Sequence, residues 1–312
     1  LLCLSLITLS MTKPAFTIRP DIKKALENNA PVLALESTIL AHGMPFPDNY
    51  KFAKQSEKLS SDQGVVAATI AVIEGEIKIG LSESELKFIC KNNNVVKTSL
   101  RELGWVQSKK LTGATTVSST IFLAQKAKIN VFATGGIGGV HQGADQSFDI
   151  SQDLAALSSV PVVVVSAGAK AILDLPKTLE ALETLSVLVV GYKTETFPSF
   201  YSRGSDLGLS ILVDTPEEIA ALYKHHRATG LTSALLVANP VPKEDEIPKD
   251  KIELYLKRAL KLAYKNKITG KNLTPFLLKI ISQESRGACL KANISLALNN
   301  VLLGAKIALG LI

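Results

Sequence analysis

Short apolar runs alternate with longer amphipathic segments along most of this sequence. Such alternation is typical of α/β proteins, in which helices cover a mainly parallel sheet. The apolar runs that predict buried strands are residues 32–35, 67–73, 130–134, 160–165, 186–190 and 234–237. The patterns that predict helices are residues 47–59, 115–128, 173–185, 215–225 and 249–267.

One segment indicates that the sheet is mixed. Residues 72–79 carry apolar side chains on either side of Glu74-Gly75, a pattern typical of a hairpin. A further helix is predicted to begin after Ser82, because Glu85 stands three residues on at capping-box spacing. The expected fold class is therefore α/β with a mixed, largely parallel central sheet.

The two ends of the chain are apolar for different reasons. Residues 1–10 precede Met11 and are interpreted as an extension outside the fold, leaving residues 11–312 as one domain. Residues 288–312 are also apolar, but Lys291, Asn293 and Lys306 interrupt them too often for lipid, so we expect a buried helix and no membrane contact.

The charge balance favours a small anionic ligand. Lysine and arginine number 35 against 28 acidic residues, a formal charge of +7 that is spread too evenly for a nucleic-acid-binding arm. A phosphorylated small molecule fits this balance. The three cysteines, Cys3, Cys90 and Cys289, stand far apart, which indicates neither a zinc site nor a disulfide framework and favours a reducing, cytoplasmic compartment.

Two side chains that follow predicted strands are candidates for catalysis. Glu36 follows residues 32–35, at the sheet edge where α/β proteins place ligands, and burial there would make it a general acid. Lys170 follows residues 160–165 and a turn of small residues, a setting that suits an amine nucleophile. Lys97 follows the apolar pair Val95-Val96, which would direct its side chain toward the same edge of the sheet. Taken alone, each of the three also fits a solvated surface charge.

A glycine-rich loop, residues 135–143, follows the predicted strand 130–134. So many glycines suit either a loop whose N–H groups bind a phosphate or a tight turn between packed elements. The dinucleotide fingerprint is absent, because His141 occupies the position of its third glycine. His141 is a candidate partner for a phosphate or a hydroxyl group, or a structural histidine.

Three aspartates recur every four residues after this loop: Asp145, Asp149 and Asp153. On a helix they would share one face and suit a hard divalent cation, although such faces more often meet solvent. Asn293, inside an apolar helix, needs hydrogen-bond partners and either ties helices together or contacts a ligand.

Motifs spread from about residue 16 to the end resemble those of the pseudouridine-5′-phosphate glycosidases, also called indigoidine synthase A-like proteins. The segments that carry the resemblance are Ala34-Leu-Glu-Ser-Thr38, His42-Gly-Met-Pro45, Gly113-Ala-Thr-Thr-Val117, Phe132-Ala-Thr-Gly-Gly-Ile-Gly-Gly-Val-His141, Phe148-Asp-Ile-Ser-x-Asp-Leu154, Phe197-Pro-x-Phe-Tyr-Ser-Arg203, Ala238-Asn-Pro240, Thr274-Pro-Phe-Leu277, Ala292-Asn-Ile294 and Asn299-Asn300.

The resemblance implies reversible cleavage of the C–C glycosidic bond of pseudouridine 5′-phosphate to uracil and ribose 5-phosphate. It places the lysine that forms an imine with C1′ of the sugar at Lys170, and the acid at Glu36. Such chemistry suits a C-nucleoside, which has no leaving nitrogen for an ordinary two-carboxylate mechanism. Two alternatives stay open: a Schiff-base lyase acting on another sugar phosphate, and a non-catalytic relative that binds a sugar phosphate.

The resemblance also implies a three-layer α/β/α fold, a homotrimer, and one Mn²⁺ per subunit held by Asp149. It assigns the remaining site residues to substrate binding. These residues are Lys97, Thr116, Val117, His141, Ser151, Gln152, Asp153 and Asn293.

Overall fold

A computed structural model describes residues 16–268, 270 and 273–312; the predicted extension 1–10 lies outside them. The strands are β1 (Phe16–Ile18), β2 (Val32–Leu35), β3 (Val66–Ile73), β4 (Glu76–Ile79), β5 (Val96–Thr98), β6 (Gly113–Thr115), β7 (Val131–Ala133), β8 (Val163–Ser166), β9 (Leu188–Tyr192), β10 (Leu212–Val213) and β11 (Leu235–Ala238). The helices are α1 (Pro20–Glu27), α2 (Asp48–Asp62), α3 (Glu83–Lys91), α4 (Leu100–Ser108), α5 (Val117–Lys126), α6 (Ala144–Ser147), α7 (Gln152–Leu157), α8 (Leu175–Thr184), α9 (Pro216–Ala228), α10 (Lys249–Lys265), α11 (Leu273–Glu284) and α12 (Ala288–Gly310).

The strands form one mixed, largely parallel sheet, which confirms the predicted fold class. Its main order is β1-β4-β3-β2-β7-β8-β11-β9-β10. Strand β3 pairs antiparallel with β4 through the predicted hairpin, and also antiparallel with β6, which carries β5 at its side. The four central strands β2, β7, β8 and β11 are all parallel, so their carboxyl ends lie along one edge.

Helices cover both faces of the sheet, because alternate residues of each central strand point to opposite sides. On β8, Val164 belongs to one apolar core while Val163 and Val165 belong to the other. Helices α5 and α7 contribute to the first core, and α9 together with the second half of α12 contributes to the second. This arrangement leaves the strand ends, rather than the faces, to form a ligand site.

Capping residues begin several helices where the sequence predicts them. Ser82 and Glu85 form the expected capping box at the start of α3. The Thr215 hydroxyl accepts a hydrogen bond from the Glu218 N–H at 3.2 Å, one residue before Pro216 opens α9.

Predictions from apolar runs are less accurate at strand ends and for short elements. The predicted strand 160–165 is observed as Val163–Ser166, and 186–190 as Leu188–Tyr192, because an apolar residue can be buried in the loop that enters a sheet as well as in the strand. Strands β1, β5, β6 and β10 were not predicted, since two or three residues carry no readable alternation.

Helix α12 is the predicted buried helix, and it packs against the sheet. Among the described residues it is the only helix long and apolar enough to cross a membrane, yet 61% of its most apolar stretch is buried inside the protein. Its neighbours include β2, β7, β8, α2 and α9. It is therefore a core helix. Residues of its first half belong to one apolar core, and residues of its second half belong to the other.

Close packing of α12 on the sheet gives a test of this fold. A Cβ at Gly304 would lie 2.9 Å from Cδ1 of Leu33 and 3.3 Å from Cβ of Ala133. Gly304→Val is therefore expected to lower the free energy of unfolding by about 1–3 kcal/mol, the usual cost of overpacking. Gly104→Val in α4 is the matched control, because nothing lies within 4 Å of a Cβ there. Urea unfolding measures both variants, and equal midpoints would contradict the close packing.

Candidate active site

A cavity of about 470 Å³ lies at the carboxyl ends of β2, β7 and β8, where α/β sheets place their ligands. Because β6 runs antiparallel to β3, its carboxyl end points back toward that of β2, and the Thr115 N–H donates to the Ser37 hydroxyl at 2.8 Å. This turn brings β5 and the start of α5 into the cavity wall. All eleven residues assigned from the sequence line it: Glu36, Lys97, Thr116, Val117, His141, Asp149, Ser151, Gln152, Asp153, Lys170 and Asn293.

Glu36 directly follows β2 and is only 7% exposed. The hydroxyl of Thr134, the residue after β7, donates a hydrogen bond to its carboxylate. Burial raises the pKa of Glu36, and the charge of Lys170 is the largest opposing influence. The Asp153 carboxylate adds to the rise. Glu36 can therefore retain a proton at a pH where an exposed glutamate has lost it, as a general acid requires.

Two lysines line the cavity, one from a loop and one from a strand. Lys170 lies in the loop after β8, where its N–H donates to the Ile137 carbonyl at 3.1 Å. Lys97 lies on β5. Burial lowers the pKa of Lys97, the positive charge of Lys170 lowers it further, and the carboxylates of Asp153 and Glu36 act in the opposite direction. Paired amines in such surroundings can bind an anion, and either one, when neutral, can attack a carbonyl carbon.

The three periodic aspartates do not share a helical face, so that prediction is wrong. Phe148 takes a left-handed conformation (φ 53°) and separates α6 from α7. Asp145 is exposed and lies 3.7 Å from the ammonium group of Lys177. Asp149 and Asp153 both line the cavity, and Asp153 is buried. Periodicity alone misled here because the chain leaves the helix and turns at Phe148, between the first and second carboxylates.

Asp153 is held by two backbone N–H groups from different elements. One carboxylate oxygen accepts from Ser118 in α5 at 2.9 Å, and the other accepts from Gly138 in the glycine loop at 2.8 Å. A Cβ at Gly138 would lie 2.7 Å from that second oxygen and closer still to the Ser151 hydroxyl. Glycine is required at this position so that the loop can approach the carboxylate.

Four N–H groups of the glycine loop donate to acceptors inside the protein. Among the described residues, no acceptor faces the N–H groups of Gly135 and Gly136, both of which line the cavity. The loop is therefore partly an internally bonded turn, and among its residues that line the cavity Gly135 and Gly136 offer N–H donors to an anion. The internal bonds run from Ile137 to Gly168 (3.1 Å), Gly138 to Asp153 (2.8 Å), Val140 to Thr178 (3.0 Å) and His141 to Asp149 (3.0 Å).

The polar side chains of Asn293 and the cavity histidines have hydrogen-bonding capacity to spare. Oδ1 of Asn293 and Nε2 of His42 are buried without a partner among the described residues. Burial lowers the pKa of His141, and the Asp149 carboxylate opposes this. Burial and the charge of Lys97 both lower the pKa of His42. Both imidazoles are therefore inclined to be neutral and able to accept hydrogen bonds from a ligand.

Sequence reasoning missed several residues of the cavity wall. Thr134 occupies the same place after β7 that Glu36 occupies after β2, a signal that would have identified it. The others come from helices and loops distant in sequence, and they include His42, Arg101, Phe200, Thr274 and Leu278. Of these, His42, Phe200 and Thr274 lie within the family motifs, whereas Arg101 and Leu278 carry no such signal.

The side chains near Asp149 determine which kind of metal site this cavity can form. No group of three or more His, Cys, Asp or Glu side chains arranged to hold an ion occurs within residues 16–268, 270 and 273–312. In the same part of the chain, no side chain pairs with the Asp149 carboxylate. A single unpaired carboxylate fits a hard divalent ion whose remaining ligands are water and substrate, and does not fit an ion enclosed by protein.

A family model described as indigoidine synthase A like protein matches residues 21–310. The chain belongs to the indigoidine synthase A-like family. The pseudouridine-5′-phosphate glycosidase of Dinoroseobacter shibae is 49% identical over 299 residues, covering 96% of this chain and 98% of the relative. The enzyme of the same name from Caldanaerobacter subterraneus is 50% identical over 291 residues, covering 93% and 95%.

Solved structures of the indigoidine synthase A-like fold agree with this assignment. An indigoidine synthase A-like protein from Thermotoga maritima superposes with a TM-score of 0.86 at 37% identity, covering 94% of this chain and 95% of the other. The prealnumycin C-glycosynthase AlnA, in complex with ribulose 5-phosphate, superposes with a TM-score of 0.88 at 31% identity, covering 96% and 97%. The family resemblance noted from motifs is thereby confirmed.

The different surroundings of Asp153 and Asp145 give a test of this site. Asp153→Asn places an amide NH₂ against a buried backbone N–H, and we expect it to lower the free energy of unfolding by about 1–3 kcal/mol. Asp145→Asn removes only an exposed charge, for which we expect a change below about 0.5 kcal/mol. Urea unfolding of the two variants checks this, and similar losses would show that the Asp153 bonds contribute little.

Proposed function

We propose that this chain cleaves pseudouridine 5′-phosphate to uracil and ribose 5-phosphate through an imine on Lys170. The observation that carries the proposal is the meeting of Lys170 with Glu36, a buried acid of raised pKa, in one cavity. Relatives that are 49% and 50% identical over nearly the whole chain are named for this reaction, which supports the same substrate here.

The proposed chemistry follows from the absence of a leaving nitrogen in the substrate. Glu36 protonates the ribose ring oxygen, and the ring opens as the neutral Lys170 amine bonds to C1′. The attacking nitrogen then loses a proton and C5 of the uracil gains one, so that the C1′–C5 bond breaks as the restored nitrogen lone pair forms the imine. Water hydrolyses the imine, which releases ribose 5-phosphate and restores the amine.

The remaining wall residues bind and orient the substrate in this proposal. Lys97 and the N–H groups of Gly135 and Gly136 supply charge and donors for the phosphate and sugar hydroxyls. Asn293 and His141 offer the hydrogen-bonding groups that recognise a polar ligand. Residues with contact roles are Thr116, Val117, Ser151, Gln152 and Asp153.

We also propose one Mn²⁺ per subunit, with Asp149 as its direct protein ligand. A bound divalent ion supplies positive charge beside the anionic substrate. The partly buried position of Asp149 on the cavity wall supports this, as does its unpaired carboxylate within the described chain. A homotrimer and a cytoplasmic location complete the proposal.

Lys170→Ala tests the covalent step. We expect kcat to fall by at least about a thousandfold, because the nucleophile is removed, while binding of pseudouridine 5′-phosphate stays measurable. In the wild type, borohydride should trap a ribose-phosphate adduct that peptide mapping assigns to Lys170. Uracil release measures turnover, and Lys97→Ala is the control that should keep the adduct on Lys170.

The outcomes separate the proposal from its alternatives. Uracil release with an adduct elsewhere would contradict the role of Lys170. Trapping with other sugar phosphates but never with pseudouridine 5′-phosphate would favour a different lyase. Binding without any turnover by folded wild type would favour a non-catalytic relative.

Asp149→Ala tests the metal. We expect chelation to silence the wild type and Mn²⁺ to restore it, and we expect the variant to lose Mn²⁺ binding measured by paramagnetic resonance. Asp145→Ala is the matched control, since that aspartate is exposed and paired with Lys177. Full activity after exhaustive chelation would count against a catalytic ion.

A further inference from the structure

A chain of buried hydrogen bonds reaches Glu36 from the far side of the sheet edge. The Asn239 side-chain amide donates to Oδ1 of Asn300 at 2.9 Å. The Asn300 amide donates to the Thr134 carbonyl at 2.7 Å, and the Thr134 hydroxyl donates to Glu36. All four residues are buried, and neither asparagine lines the cavity.

Three of the four residues occupy equivalent places in the central sheet. Glu36, Thr134 and Asn239 each follow a parallel strand, namely β2, β7 and β11, and Asn300 lies in α12. The main chain of Thr134 and of Asn239 is also fixed, because the Thr134 N–H donates to the Val165 carbonyl at 3.0 Å and the Asn239 N–H donates to that of Ser166 at 2.8 Å. A single side chain from α12 thus bridges two strand ends.

Asn300 is chemically unusual where it stands. It is fully buried in the most apolar helix of the chain, where an unpaired amide would be costly. Its donor and acceptor both have partners, so this cost is avoided. Leucine has the same branching as asparagine but no polar atoms, so at this position it would leave the Thr134 carbonyl without a donor.

We propose that Asn300, oriented by Asn239, is a positioning residue that fixes the Thr134 peptide so that the Thr134 hydroxyl stays bonded to Glu36. The inference rests on the proposed function of Glu36 as the acid. It gives Asn300 an effect on the proton carrier without any contact with substrate. A purely structural tie between α12 and the sheet is the competing explanation.

Asn300→Leu, compared with Asn299→Leu, tests the proposal. Asn299 is the neighbour in α12, and it donates to the Pro240 carbonyl at 3.2 Å, outside the chain of bonds to Glu36. We expect Asn300→Leu to lower kcat about tenfold, the effect of a hydrogen bond to an ionisable group, with KM changed less than twofold. Asn299→Leu should leave both unchanged even if it destabilises the protein.

The pH dependence of kcat distinguishes the two explanations, because a purely structural role of Asn300 would not shift it. The Thr134 hydrogen bond lowers the pKa of Glu36, and the other charges facing Glu36, on Lys170, Asp153 and Lys97, are unaltered in the variant. An acid must be protonated, so activity is lost as pH rises through its pKa. Loosening the bond raises that pKa and should move the alkaline limb of kcat to higher pH. An unmoved limb would overturn the proposal.

A double variant and a variant of Asn239 distinguish loss of the positioning role from misfolding. Asn300→Leu should have no further effect on kcat in a Thr134→Val background, whereas independent effects would multiply and contradict the coupling. Asn239→Ala should shift the same limb in the same direction. If Asn300→Leu does not fold, Asn239→Ala decides between the two explanations.

An infrared titration of the Glu36 carboxyl separates this inference from the proposed reaction. The band is identified by its loss in Glu36→Gln and needs no substrate. If its titration moves up in Asn300→Leu while the wild type releases no uracil, the positioning role holds and the proposed function fails. If uracil is released but the titration is the same as in Asn299→Leu, the positioning role fails alone.

Discussion

The buried carboxylate of Asp153 joins the two parts of the protein from which the cavity is built. One part is the glycine loop after β7, and the other is the start of α5 after the antiparallel turn through β6. Removing a carboxylate from water is costly, and charge-assisted bonds to two N–H groups offset that cost. Because the Lys170 main chain is bonded to the same loop through Ile137, the position of the proposed nucleophile also depends on this junction.

The charges of the cavity influence one another. Four of its charged groups lie close together: Lys97, Lys170, Glu36 and Asp153. The pKa of Glu36 is raised and that of Lys97 is lowered, and each shift includes contributions from the other three groups. Adding a phosphorylated ligand to this group changes the balance, since a nearby anion favours the protonated forms of Glu36 and Lys97. The acid then holds its proton more firmly. The proposed reaction requires the Lys170 amine to be neutral in the same field, and cations near the phosphate, including the proposed divalent ion at Asp149, would reduce the ligand's effect.

Much of the fold was predictable because long apolar runs make buried parallel strands, and β2, β3, β7 and β11 lie within two residues of the predicted limits. The candidate site was predictable where residues directly follow such strands, as Glu36 does, or belong to a recognisable motif. The positions of the three aspartates were not predictable from spacing, because a left-handed Phe148 turns the chain between them. Nor could any local pattern show that Asn300 meets Thr134, since the contact depends on how α12 crosses strands made much earlier in the sequence.

Helix α12 is made after every strand on which it packs. During synthesis, the sheet emerges with one part of its apolar face uncovered, and the strand ends lack the amides that satisfy their carbonyls. A nascent chain without α12 would therefore expose aggregation-prone surface while still lacking a complete cavity. The order of synthesis thus makes α12 the element that closes this sheet only after all of its strands have been made.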